Sequence, residues 1–237
     1  MVEPDFQQVL SEGRALQTRL AEFAPVVVGG TAAALYCGHR FSLDVDVVTP
    51  QLKSRFEEVK ATLSAWEGWR MNRINPPVLI LGEHGGVELG VRQLRRSVPL
   101  QTGVVSGLLV PTAEEMLRVK SYLLSERRGT RDYVDVAAMI QHLGLEMSVR
   151  AMTVFNLVYG TRTPQTWISA FAEACESEPA DAATISLSAY KGLRPPFTDW
   201  TFVANECRKL GRALIKHELE GGLPSVLPTN WPHKGSP

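Results

Sequence analysis

Apolar side chains recur at helical spacing from Phe6 to Phe23 (Phe6, Val9, Leu10, Leu16, Leu20), and Pro25 closes the stretch, so an amphipathic helix opens the chain. Val26-Val27-Val28 is too short an apolar run for a helix and precedes Gly29-Gly30 and the small helix-forming residues Thr31 to Leu35. That order predicts strand, tight turn, helix. Leu43 to Val48 alternates apolar and polar positions and predicts a second strand, with Thr49-Pro50 opening a helix from Gln51 to about Ala65. Strands follow at Trp69–Ile74, Val78–Leu81 and Val87–Arg92, the last two joined through Gly85-Gly86.

Beyond Pro111 the period changes. Thr112-Ala113-Glu114-Glu115 has the form of a capping box, with Thr112 as N-cap and Glu115 reaching back. Helices are predicted near 113–126, 132–143, 148–158, 164–176, 182–191 and 198–218, divided by glycine and proline punctuation. The tail from Gly221 to Pro237 is rich in Pro, Gly and Ser and is expected to be disordered. The expected domains are an α/β domain over 1–110, a helical domain over 111–220 and a tail over 221–237, in fold class α/β (α+β).

Composition narrows the function classes. The chain has 237 residues, 44% of them hydrophobic, with 25 basic against 25 acidic side chains, which argues against a protein that holds nucleic acid by bulk charge and leaves room for a local patch. Three widely spaced cysteines, Cys37, Cys175 and Cys207, form neither a disulfide framework nor a zinc pattern. Residues 1–10 have no apolar signal core, and no stretch reaches 18 apolar residues, so a cytoplasmic protein without membrane spans is expected.

Candidate chemistry starts in Ser42-Leu43-Asp44-Val45-Asp46-Val47. Strand geometry sends Asp44 and Asp46 to one face, their Cα atoms about 6.5–7 Å apart. Neighbouring carboxylates favour cations, and hard oxygen donors suit Mg²⁺ or Mn²⁺. The same D-x-D equally describes an exposed strand face with two ordinary aspartates. The Gly29-Gly30 turn before a helix N-terminus offers backbone N–H groups to an anion, and Thr31 could add a hydroxyl. Glu88 lies in the polar phase of its strand with Gly90 leaving room beside it, which makes it the candidate third acid. In the helical half, Lys120 and Arg127 fall inside the apolar face of their helix, and Asp132 projects into the apolar face of the next, with Asp135 at its edge. Lys120 could snorkel outward or meet an anion such as a phosphate, and Asp132 could be the N-cap of its helix or a salt-bridge partner of Lys120 or Arg127. Between Val91 and Arg131 eight basic residues stand against three acids, a slight pointer to a polyanionic partner.

The ordered set Gly29-Gly30-Thr31, His39-Arg40-Phe41-Ser42-Leu43-Asp44-Val45-Asp46, Lys120 and Arg131-Asp132-x-x-Asp135 resembles the nucleotidyltransferase superfamily, and most of all its AbiEii-type branch, which includes toxin halves of abortive-infection and toxin–antitoxin systems. The resemblance spans roughly residues 25 to 140. It implies a polymerase-β-like mixed sheet, a helical domain completing a cleft, and transfer of a nucleoside monophosphate from an NTP with a divalent metal. It further implies that Asp44, Asp46 and Glu88 are metal ligands, and that Gly29, Gly30, Thr31, Arg40, Ser42, Lys120, Arg131, Asp132 and Asp135 are the nucleotide-binding residues. The implied acceptor is a hydroxyl of a tRNA 3′ end, a protein or a small molecule, among which the basic 91–131 segment leans slightly towards a nucleic acid, and the implied partner is a cognate antitoxin protein. A small-molecule nucleotidyltransferase and an inactive nucleotide-binding regulatory module are the alternatives.

Overall fold

A computed structural model describes residues 5–232, in the order α1 (Phe6–Arg19), β1 (Val26–Val28), α2 (Gly29–Cys37), β2 (Asp44–Thr49), α3 (Phe56–Ser64), β3 (Arg70–Asn75), β4 (Leu79–His84), β5 (Val87–Gln93), β6 (Thr102–Val105), β7 (Leu108–Pro111), α4 (Ala113–Arg127), α5 (Thr130–Leu143), α6 (Leu145–Met152), α7 (Phe155–Tyr159), α8 (Trp167–Glu176) and α9 (Trp200–Leu219). Two compact units result. The first takes the chain up to Leu35 with Phe41–Arg95 and Thr102–Pro111; the second takes Tyr36–Arg40, Arg96–Gln101 and everything from Thr112.

In the first unit a five-stranded sheet runs in the order β1-β2-β5-β4-β3, with β2 and β5 parallel and the other pairs antiparallel. The alternation read from the sequence sets its two faces. Val45, Val47, Leu89 and Val91 are fully buried on one side, while Asp44, Asp46 and Glu88 stand on the other. Helix α1 covers the apolar side, with Gly13 over Val45: a β-carbon there would lie 3.5 Å from the valine, in ordinary van der Waals contact. Asp5 caps α1 by accepting from the Gln8 amide at 2.7 Å. The opening helix stops at Arg19, and a short 3₁₀ turn (Ala21–Phe23) replaces its expected last turn. The hairpin β6–β7 does not emerge from the periodicity. Its two-residue turn puts Ser106 and Gly107 at positive φ, and Gln17 holds it by accepting from the Leu109 amide and donating to its carbonyl, at 3.0 and 2.8 Å.

The second unit is helical. Thr112 caps α4 as expected, accepting from the Glu115 amide at 3.3 Å, but the Glu115 side chain does not close the box. It pairs instead with Arg96 at 2.6 Å and Arg118 at 2.8 Å, and is fully buried. The helix expected over 148–158 divides into α6 and α7. The one expected over 182–191 is turns around a three-residue 3₁₀ segment, Leu187–Ala189, because two prolines and a glycine follow within 192–196. The tail expected to be disordered is anchored as far as Trp231, which packs on Val154 and Val158 and donates its indole N–H to the Pro99 carbonyl at 3.1 Å. Residues 233–237 lie outside the described part of the chain.

Candidate active site

The β-ladder brings the acids together in the first unit. Asp44 pairs directly with Glu88 across β2 and β5, and Asp46 with Gly90, so three carboxylates occupy one face of adjacent strands about 4.8 Å apart. Gly90 is required by Asp46: a β-carbon there would meet Asp46 Oδ1 at 2.1 Å. On the other flank Val28 pairs with Asp46, which places Gly29 beside the carboxylate. Gly29 has φ +74°, and its missing β-carbon would stand 3.7 Å from Asp46 Oδ2. The turn that opens α2 and Asp46 are therefore neighbours.

Local hydrogen bonds fix this corner. The Ser42 hydroxyl donates to Asp44 Oδ1 at 2.7 Å. The Thr31 hydroxyl, expected to face a phosphate, donates to the Asp44 main-chain carbonyl at 2.5 Å, and the side chain is buried. Thr31 thus ties the first turn of α2 to the start of β2. Arg92, which the sequence reading left out of the site, donates from Nε to Asp46 Oδ1 at 2.8 Å. The signal was present: Arg92 follows Glu88 and Gly90 in the polar phase of β5.

The second unit holds the remaining motif residues in one buried network. Asp135 has no exposed side-chain surface and meets Lys120 Nζ at 2.6 Å, Arg40 through Nε and Nη2 at 2.8 and 2.9 Å, and His39 Nε2 at 2.8 Å. Burial alone would raise its pKa, but Arg40, Lys120 and the His39 hydrogen bond hold the carboxyl well below the usual range. Asp132, also fully buried, receives a two-pronged contact from Arg127 at 2.6 and 2.9 Å. The resemblance gave Arg40, Lys120, Asp132 and Asp135 to the nucleotide; the structure gives each a protein partner, and the Lys120 side chain is only 2% exposed. Arg131 lines a cleft of about 460 Å³ with Gly129, Asp181, Ile185 and Tyr190. Burial, with the Asp135 charge, pushes the Cys37 thiol up to about 12, so it is no nucleophile at neutral pH. The basic excess of 91–131 is largely internal, since Arg92, Arg96, Arg118, Lys120 and Arg127 all pair with carboxylates of this chain.

No protein-family model and no curated protein sequence matches the chain. Solved structures do. MenT4, a nucleotidyltransferase toxin from Mycobacterium tuberculosis H37Rv, is similar over 90% of this chain and 90% of its own, at 17% identity and a TM-score of 0.57. The chain has a nucleotidyltransferase fold. JHP933 from Helicobacter pylori is similar over 93% of this chain and 97% of its own, at 16% identity and a TM-score of 0.53.

A divalent cation is implied by the nucleotidyltransferase fold, and the acid face fits one. The donors are all carboxylate oxygens, and Gly90 gives the Asp46 carboxylate the place that a β-carbon would take. Among the described residues no three His, Cys, Asp or Glu side chains already converge as a ligand set. Glu88, the expected third ligand, is in register with Asp44 but exposed. No helix among the described residues is long and apolar enough to cross a membrane.

Proposed function

We propose that the chain is a metal-dependent nucleotidyltransferase, moving a nucleoside monophosphate from an NTP to an acceptor hydroxyl. The observation that carries this reading is Asp46, flanked by the Gly29 turn and by Gly90, with Asp44 and Glu88 on the same sheet face of a nucleotidyltransferase fold. Asp44 and Asp46 would hold Mg²⁺ or Mn²⁺, with Glu88 closing the set. When bound, the ion neutralises triphosphate charge.

The remaining work belongs to the chain. Backbone N–H groups at Gly29 and Gly30 receive phosphate oxygens, aided by the N-terminal dipole of α2. The acceptor oxygen attacks the α-phosphorus in line, the bond to the bridging oxygen of the β-phosphate breaks, and pyrophosphate leaves. Glu88, exposed beside Asp44, takes the acceptor proton. Thr31 and Ser42 position Asp44 rather than touch substrate. The Asp135 network fixes His39 and Arg40, and Arg40 is separated from Asp44 by three residues of chain.

The likeness to MenT4 makes a cytoplasmic toxin with a cognate antitoxin protein the cellular reading. Its test is growth arrest on expression, which Asp46→Asn should remove. The biochemical test incubates the protein with each NTP, Mg²⁺ and separate pools of tRNA, protein and aminoglycoside acceptors. Nucleotide label entering one pool supports transfer to that class, tRNA being the expected one; no label in any pool contradicts the proposal.

A further inference from the structure

The ion pair between Arg92 and Asp46 has no place in the chemistry so far. Arg92 stands two residues beyond Gly90 on β5, opposite Val48, and its guanidinium turns back along the strand to meet Asp46 Oδ1 at 2.8 Å. Only glycine at position 90 leaves that path open, since a β-carbon would occupy the carboxylate's place. Both partners keep contact with solvent, Arg92 being 45% and Asp46 25% exposed, so the pair can open without disturbing the core. Salt bridges of this kind are weak and exchangeable. A guanidinium and a divalent ion compete for the same carboxylate oxygen, because both bind it by charge and a divalent ion brings more of it.

We propose that Arg92 is a resident counter-cation of Asp46. It neutralises the carboxylate while no metal is bound, yields it to the divalent ion, and is then free on the same sheet face to pair with the phosphates that arrive with the metal. This rests on the nucleotidyltransferase reading, and it assigns Arg92 as a positioning residue that couples metal binding to nucleotide binding. The consequence is a sign reversal. Removing the guanidinium strengthens binding of the bare ion and weakens binding of the metal–nucleotide complex. A residue that merely supported the strand would shift both in one direction.

The test measures Mn²⁺ binding by electron paramagnetic resonance and binding of a Mn²⁺-loaded, non-hydrolysable triphosphate analogue by calorimetry, in the unaltered chain and in Arg92→Gln. Bare Mn²⁺ should bind about two- to fivefold more tightly to Arg92→Gln, the range of a part-exposed ion pair, and the analogue complex more weakly. On an Asp46→Asn background, Arg92→Gln should no longer tighten Mn²⁺ binding, which separates competition at Asp46 from a general charge effect. Equal Mn²⁺ affinity in the unaltered chain and Arg92→Gln, or a change of the same sign for ion and complex, overturns the proposal while leaving the nucleotidyltransferase reading intact. Absence of Mn²⁺ binding to every variant overturns both.

Discussion

A β-carbon on Gly90 would stand 2.1 Å from Asp46 Oδ1 and 3.1 Å from Leu81 Cδ2. The first obstacle is the end of a part-exposed side chain and can rotate away; the second needs only a few tenths of an ångström. Gly90→Ala should therefore fold, with its melting temperature lowered by no more than a few degrees, while Asp46 is turned out of position. A misplacement of about 1 Å costs on the order of 10²-fold in rate, and that loss of transfer in an otherwise folded protein, followed by circular dichroism, is the expected result. The single-residue logic of this corner was partly legible in the sequence. Alternation alone placed Asp44 and Asp46 on one face and Glu88 and Gly90 on another strand's polar phase. The parallel pairing that sets Asp44 beside Glu88 was not legible, because β2 and β5 are joined through two intervening strands. For the same reason Arg92 read as one more surface charge.

At the scale of elements, α4 and α5 are locked by the buried charges that the sequence showed only as polar intrusions in two apolar faces. Asp135 answers Lys120 from α4 and both His39 and Arg40 from the segment after α2. Removing its charge takes the nearest counter-ion from the buried Arg40 and Lys120, a change that typically destabilises by about 3–5 kcal/mol. Because the folded carboxyl is held well below its ordinary pKa, the contribution is fully present above the unfolded-state value near 4 and fades as the pH falls below it. Asp135→Asn should thus be markedly less stable than the unaltered chain at pH 7, with the gap narrowing at pH 3. Denaturant titrations at the two pH values check this, and a gap independent of pH would show that the charge is not what matters. Partners 95 residues apart, such as Arg40 and Asp135, leave no pattern in local periodicity. Missing from the pattern as well were the β6–β7 hairpin, stabilised by Gln17 from α1, and the non-helical course of 182–191 under the proline and glycine that follow.

Over the whole molecule, the fold outlasts the sequence. Identities of 16–17% accompany similarity over nine-tenths of the chain. One unit carries an acid face and the other a charge-paired helical core. The motif order along the chain was legible because it follows the chain; the pairing of Lys120 and Arg40 with Asp135 was not, since it joins residues far apart in sequence. The formal charge is zero, and most cations of the basic stretch are paired with carboxylates of this chain, while Arg95 and Arg128 are exposed. The central claim is that the acid face directs attack at the α-phosphorus. The most direct measurement supplies NTP labelled at the α-phosphate in one reaction and at the γ-phosphate in another, with Mg²⁺ and the acceptor pools, alongside Asp46→Asn. The account predicts α-label on the acceptor, γ-label in pyrophosphate, and neither movement with Asp46→Asn. Label from the γ-phosphate on the acceptor, or undiminished transfer by Asp46→Asn, would contradict it.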